Sequence, residues 1–127
     1  MNNEEIINNN YLNWTQAPFD KLTIKEVKKL KSDNPLEFQD SFYKDLSFGT
    51  GGMRGILGVG PNRVNQYTFG RNTQGIANFI NRTSNKKKAV VIAYDCRNQS
   101  EELANQVAEI FSSNNIRVYL FSSLRPT

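Results

Sequence analysis

The sequence predicts an α/β fold, because a strand, a helix and a second strand follow one another in its last third. The run from Ala89 to Tyr94 is continuously apolar, as in a strand buried on both faces of a parallel sheet. A helical pattern starts at Ser100, and a second apolar strand runs from Ile116 to Phe121. Since such crossovers are right-handed, these elements predict a right-handed βαβ unit.

The helix of this unit carries acid in its first turn, where carboxylates favour the helix dipole. It ends at Asn114 and Asn115, and its apolar face comprises Leu103, Val107, Ile110 and Phe111.

The N-terminal third is predicted to be helical. Thr23 and Glu26 have the spacing of a capping box, and Asn34–Pro35 indicates an N-cap followed by proline at the first helical position. The segment from Trp14 to Asp20 contains a proline and predicts a loop before the second helix. The apolar side of the helix after Asn34 is predicted to comprise Leu36, Phe38, Phe42, Tyr43 and Leu46.

Another helix is predicted after the glycine-rich middle of the chain. Asn65 is a candidate N-cap, and Gly70 and Gly75 are expected to permit close packing despite their low helix propensity. The face at helical spacing comprises Phe69, Thr73, Ile76, Ala77 and Ile80.

The composition of the chain limits its domain size and the kinds of catalytic, metal and disulfide site that it can form. The chain has 127 residues, of which 38% are apolar and 22% charged, enough for about one small domain. It contains no histidine, which excludes Ser-His-Asp and Cys-His arrangements and histidine metal sites within this chain. Its single cysteine, Cys96, has no internal disulfide partner, which favours a reducing cytoplasm.

The charge pattern argues against nucleic acid and membrane partners. The net charge of +4 is modest, and the lysines gather in two clusters, at 25–31 and 86–88, typical of solvated surface. No apolar stretch is long enough to cross a membrane, and the acidic, polar N-terminus does not resemble a secretory signal.

The run from Phe48 to Gly55 (FGTGGMRG) places Arg54 among glycines. Glycines let backbone N–H groups approach an anion, and a guanidinium offers a fork of donors to phosphate. The run matches neither the nucleoside-triphosphate loop nor the dinucleotide glycine spacing. The residues alone leave two alternatives: a phosphate-ester site, or a tight hairpin with a solvated arginine.

Ligands of open α/β sheets gather beyond the carboxyl ends of parallel strands. In this chain those ends are Tyr94–Arg97 and Ser122–Thr127, so Arg54, Arg97 and Arg125 are candidates to line one edge. For Asp95 and Arg97, a site role and a local ion pair or helix cap are equally weighted alternatives.

Four segments together resemble the α-D-phosphohexomutases, and most closely the bacterial phosphoglucomutase and phosphomannomutase-like enzymes. They are FGTGGMRG at 48–55, NRVN at 62–65, IAYDCR at 92–97 and LRPT at 124–127. The resemblance implies a three-layer α/β/α domain with a mixed, largely parallel sheet. Residues 47–127 would form an incomplete first domain of the mutase, preceded by a helical lead-in over 1–46.

The resemblance implies reversible phosphate transfer between the 1- and 6-positions of a hexose, through a sugar bisphosphate and an enzyme phosphoserine. Such enzymes use Mg²⁺ and glucose 1,6-bisphosphate, and the implied partners are a hexose phosphate and the remaining mutase domains. Arg54 matches the catalytic arginine that faces the phosphoserine and the substrate phosphate. The implied substrate-binding residues are Arg54, Thr50, Gly51, Gly52, Asp95 and Arg97.

The family's phosphoserine motif (TASHNP) and magnesium loop (DGDGDR) do not occur in the 127 residues. We therefore expect an N-terminal part of a mutase that is inactive alone, with an exposed sheet edge and apolar face if the family's sheet continues past Thr127. The alternative is a free-standing, non-catalytic α/β module that binds phosphate esters or a partner protein.

Overall fold

A computed structural model describes residues 1–49, 52–83 and 86–123. Thr50, Gly51, Ser84, Asn85 and residues 124–127 lie outside that description. The chain divides into two compact units, Met1–Asn65 and Gln66–Thr127. The elements are α1 (Asn3–Trp14), α2 (Lys21–Asp33), α3 (Pro35–Phe42), β1 (Phe48–Gly49), β2 (Gly52–Met53), α4 (Gln66–Thr83), β3 (Ala89–Ile92), α5 (Ser100–Ser113) and β4 (Arg117–Leu120). This mixture of helices and strands confirms the predicted α/β class.

Side-chain caps start the first three helices. Asn2 and Glu5 form a reciprocal capping box at α1, in which the Asn2 side chain accepts the Glu5 N–H at 2.9 Å. Asn34 caps α3 and Pro35 is its first residue, so the predicted Asn34–Pro35 start is confirmed.

The predicted capping box at Thr23 and Glu26 is wrong. The N-cap of α2 is Asp20, whose carboxylate accepts the Thr23 N–H at 3.1 Å, and Thr23 lies inside the helix. Aspartate is the stronger N-cap, and the Thr23 hydroxyl also donates to Asp20, so Thr23 serves as a partner of the cap.

Aromatic side chains form the core of the first unit. Trp14 stacks on Phe19 with ring centroids 4.3 Å apart and meets the Phe42 ring edge-on at 5.9 Å. Phe38 stacks on Phe42 at 4.8 Å, and the Phe38 ring also contacts Tyr11 at 5.7 Å. The predicted loop between Trp14 and Asp20 is confirmed, and it brings Phe19 onto Trp14.

The predicted apolar side of α3 is only partly correct. Phe38 and Phe42 are buried, but Leu36 is 79% exposed, and Leu46 lies beyond the end of the helix at Phe42. Leu36 is in the first turn, on the solvent side, so its spacing from Phe38 does not place it in the core.

The glycine run forms a tight antiparallel hairpin from β1 and β2, with Phe48 opposite Met53 and Gly49 opposite Gly52. The chain then returns along itself, because the Val64 N–H donates to the Ile56 carbonyl at 2.8 Å. This return is attached to the end of α3, where the Asn62 N–H donates to the Ser41 carbonyl at 3.0 Å.

In the second unit, β3 and β4 are parallel and α5 connects them in sequence, which confirms the βαβ unit. The core comprises the buried Ala77, Phe111 and Ile116, with Ile80, Val90, Ile92, Val107 and Val118 packed against them. Asn114 caps the end of α5 and Asn115 has a left-handed φ of 62°, so the predicted end of this helix is also confirmed.

The prediction that the strand from Ala89 is buried on both faces is wrong for the described structure. Helices α4 and α5 supply the core on the side of Val90 and Val118. On the other side, Val91 is 69% exposed and its register partner Tyr119 is 53% exposed. The apolar run indicates that both faces of the strand are apolar, but the helices of the described unit cover only one of these faces.

The two glycines of α4 differ. A Cβ at Gly70 would lie 3.1 Å from the side-chain amide nitrogen (Nε2) of Gln106 and 3.6 Å from Cδ1 of Ile110, which confirms close packing of α4 against α5. A Cβ at Gly75 would meet nothing within 4 Å, so no close packing occurs there.

Gly60 is irreplaceable on steric grounds. Its φ is +115°, and a Cβ at this position would lie 2.7 Å from the Ser41 carbonyl oxygen. We expect Gly60→Ala to lower the free energy of unfolding of the first unit by at least about 1–2 kcal/mol, since the residue would be strained as well as clashing. Urea unfolding followed by fluorescence of Trp14, the only tryptophan, measures this loss.

Gly75→Ala is the matched control, since the same substitution is unobstructed there. In an exposed helix interior it should stabilise the second unit by about 1 kcal/mol, measured by far-ultraviolet circular dichroism. Equal unfolding midpoints for wild type and Gly60→Ala would contradict the steric argument.

Candidate functional site

Arg54 directly follows β2 and is exposed. Within the described part of the chain its guanidinium has no ion pair and no hydrogen-bond partner. Gly52 pairs with Gly49 in the hairpin, whereas Thr50 and Gly51, the other predicted loop residues, lie outside the described residues. The hairpin alternative is thus confirmed as geometry, and it is compatible with an anion site because Arg54 keeps its donors.

The backbone after Arg54 is held in place from several sides. Gly55 faces Leu46, whose Cδ1 atom would be 2.6 Å from a Cβ at this position. The Leu46 N–H in turn donates to the Pro61 carbonyl at 2.8 Å. The backbone on the C-terminal side of Arg54 is therefore held in a fixed position.

Asp95 and Arg97 form a second polar group just beyond the carboxyl end of β3. The Arg97 Nε and Nη2 atoms lie 2.7 and 2.6 Å from Oδ2 of Asp95. Asp95 Oδ1 accepts the Arg97 backbone N–H at 3.1 Å and the Ser100 hydroxyl at 2.9 Å. The local ion pair that the sequence left open is confirmed, and it ties the strand end to the start of α5.

The electrostatics of this group follow from those bonds. Hydrogen bonds from the Arg97 side chain and backbone, and then from Ser100, hold the pKa of the Asp95 carboxyl well below its ordinary value. The same pairing raises the pKa of Arg97. The Asp95 side chain is 12% exposed and that of Arg97 is 75% exposed, so the carboxylate is occupied while part of the guanidinium faces solvent.

Arg63 is a structural arginine to which the sequence pattern assigned no role. Its side chain is 5% exposed and pairs with Asp40 at 2.8 Å, and its Nη1 donates to the Asn62 carbonyl at 3.0 Å. Asn62 also donates from its side chain to the Asp40 carbonyl at 2.9 Å. These bonds fasten the segment after the hairpin to α3, and no local spacing could have revealed a partner 23 positions away.

The structure thus brings together Asp95, Arg97 and Ser100 in the second unit and places Arg54 in the first. Arg125 lies outside the described residues, so a shared edge for the three arginines stays a prediction. Cys96 is exposed and has no disulfide.

The described residues contain no group of three or more His, Cys, Asp or Glu side chains able to hold a metal ion. These residues offer no fit for Mg²⁺. The helices over the same part of the chain include none long and apolar enough to cross a membrane.

Residues 45–127 match the family model described as phosphoglucomutase/phosphomannomutase, alpha/beta/alpha domain I. The chain belongs to this family. It is similar to the phosphoglucomutase of Staphylococcus haemolyticus (strain JCSC1435), with 36% identity over 116 residues that cover 91% of this chain and 20% of that protein. It is also similar to the phosphoglucomutase of Staphylococcus aureus (strain USA300), with 33% identity over 114 residues that cover 90% of this chain and 20% of that protein.

The chain therefore spans about a fifth of the length of these relatives. No solved structure matches it.

The lowered pKa of Asp95 in its pair with Arg97 predicts how the stability of the fold changes at acidic pH. Because the folded-state pKa of Asp95 is lowered, its contribution to stability is present above the ordinary aspartate pKa of about 3.9 and is lost as the pH falls from there through the lowered value. Carbon-detected NMR titration of the Asp95 carboxyl should show it ionised below the ordinary pKa.

Arg97→Ala should return the pKa of Asp95 toward its ordinary value, whereas Arg82→Ala, at an exposed position of α4, should leave it unchanged. An unaltered Asp95 titration in Arg97→Ala would show that the pair does not exist in solution.

Proposed function

We propose that this chain acts as the N-terminal part of a phosphohexomutase, which interconverts hexose 1-phosphate and hexose 6-phosphate through a phosphoserine and a sugar bisphosphate. The observation that carries the proposal is the guanidinium of Arg54, which lies at the end of a glycine hairpin and has no partner among the described residues, in a chain of this family. The names of the two Staphylococcus relatives support the reaction class.

In the proposed reaction Arg54 is the catalytic residue that contacts the transferred phosphate. Phosphoryl transfer depends mainly on positioning and on neutralising charge on the equatorial oxygens, which a guanidinium with free donors can do. The hairpin suits this task because its backbone contains glycines on both strands, which let a phosphate approach closely. Thr50, Gly51 and Gly52 would complete the cradle.

Asp95 and Arg97 would both contribute to substrate binding, but in different roles. Both carboxylate oxygens of Asp95 already accept hydrogen bonds, from Arg97 and from Ser100. We therefore assign Asp95 a positioning role, in which it fixes the guanidinium of Arg97. Arg97, with its side chain 75% exposed, is the member of the pair that would contact a phosphate oxygen or a sugar hydroxyl.

The uncovered side of the sheet supports a three-layer α/β/α arrangement in the complete enzyme. Parallel strands are ordinarily covered on both faces, yet Val91 and Tyr119 are exposed on the face opposite α4 and α5. We propose that further polypeptide of the mutase covers this face. We assign residues 1–46 to the lead-in and 47–127 to the first domain.

On this proposal the chain is inactive without the remaining mutase domains, which would supply the phosphoserine and the Mg²⁺ loop. The enzyme would work in the cytoplasm and use glucose 1,6-bisphosphate as intermediate and activator. The coding DNA after the Thr127 codon tests the assignment. An open frame encoding TASHNP supports it, whereas an immediate stop codon would favour a separate, non-catalytic module.

The phosphate site is tested by binding. Glucose 1,6-bisphosphate titrated into the 127-residue chain should bind Arg54→Ala about tenfold or more weakly than wild type, because a hydrogen-bonded charge is lost. Calorimetry or NMR shifts measure the two dissociation constants. Arg97→Ala should also weaken binding.

Arg82→Ala removes the same charge from an exposed position of α4 and should leave the affinity unchanged. Glucose itself, which lacks phosphate, should not distinguish wild type from Arg54→Ala. Identical bisphosphate affinities for these two proteins would exclude Arg54 from the site.

A further inference from the structure

A pocket of about 300 Å³ lies within the first unit, bounded by α2, α3 and the segment from Gly58 to Arg63. This volume is at the lower end of small-molecule sites. Its surface is mainly apolar, with contributions from Leu30 and Val59. The hairpin strands and Arg54 do not line it, so it is separate from the proposed phosphate site.

The charged groups around the pocket are predominantly acidic. Three carboxylates, those of Glu26, Asp33 and Glu37, line it together with one ammonium, that of Lys29. Glu26 and Asp33 have no ion-pair partner in the described part of the chain. The pocket is therefore locally negative although the whole chain carries a net charge of +4.

Arg63 does not cancel this charge. It also lines the pocket, but its guanidinium lies 2.8 Å from the Asp40 carboxylate, which neutralises it. The remaining imbalance favours a positively charged ligand and disfavours a phosphate ester.

Ser41 provides a second, independent indication of a ligand. It lines the pocket and is 1% exposed, yet its hydroxyl has no hydrogen-bond partner among the described residues. Buried hydroxyls are normally paired, because water is lost without replacement when they are not. A ligand that places an N–H group in the pocket would satisfy this oxygen.

We propose that this pocket binds a small organic amine: an ammonium head that is attracted by the carboxylates of Glu26 and Asp33 and donates to Ser41, on an apolar body that contacts Leu30 and Val59. An alkyl or arylalkyl group of about the size of phenylethyl suits the volume of the pocket. A carboxylate or phosphate ligand would face the three carboxylates and is disfavoured by charge.

The probe is 2-phenylethylamine, titrated into the 127-residue chain near neutral pH and followed by backbone amide NMR shifts. Saturable shifts are expected at residues of α2, α3 and 58–63. The neutral isostere 2-phenylethanol should bind about tenfold more weakly, since it lacks the charge. Equal affinity for amine and alcohol, or shifts that lie outside this region, would overturn the proposal.

A double variant, Glu26→Gln with Asp33→Asn, removes the charge and keeps the shape. It should bind the amine about tenfold more weakly and the alcohol unchanged. The matched control, Glu101→Gln with Glu102→Gln, alters two exposed carboxylates on α5 and should behave as wild type. Amine affinity unaffected by the first pair would refute the assignment.

Ser41→Ala separates a ligand-binding hydroxyl from a structural one. Removing an unpaired buried hydroxyl from a helix should raise the Tm of the free protein while weakening amine binding. A lowered Tm with unchanged amine affinity would show that Ser41 serves the fold instead. The carboxylate variant tests the pocket independently of how well Ser41→Ala folds.

Discussion

The attachment of the segment around Gly60 to the end of α3 is the constraint on which the first unit depends. The segment approaches so closely that a single methyl group at Gly60 would lie 2.7 Å from the Ser41 carbonyl oxygen. That oxygen accepts the Asn62 N–H, and the neighbouring Asp40 pairs with Arg63. The end of one helix thereby determines the path of the chain after the hairpin, and Arg54 leaves the hairpin at the start of that path.

Local patterns predicted the second unit well, because its elements are close together in sequence. The βαβ order, the α5 start at Ser100 and its end at Asn114 follow from the apolar periodicity, the acidic first turn and the asparagines at the end, each of which spans a few residues. The coverage of the sheet was not predictable in the same way. An apolar run such as Ala89–Tyr94 shows that both faces can be buried, but the helices that bury them are encoded elsewhere.

The first unit shows where sequence patterns compete. Asp20 and Thr23 are both good N-caps three positions apart, and only the structure decides that Asp20 starts α2. At the candidate site, the pattern placed Asp95 and Arg97 at a strand end and left open whether they pair, which they do. Arg63 was missed, because its burial depends on a contact with α3 that the hairpin return creates.

The three described arginines at issue differ in how their charge is used. Arg63 is buried and neutralised by Asp40, so it contributes to the fold and has little capacity left for a ligand. Arg97 is oriented by Asp95 yet remains largely exposed, whereas the Arg54 side chain has no hydrogen-bond or ion-pair partner among the residues that the structure describes. A guanidinium fixed by a carboxylate loses less side-chain entropy on binding, whereas an unpaired one retains more positive charge for the anion. A site that neutralises a transferred phosphate most needs this retained positive charge. On the proposed function, Arg54 is therefore a stronger candidate for the catalytic role than Arg97, which is paired with Asp95.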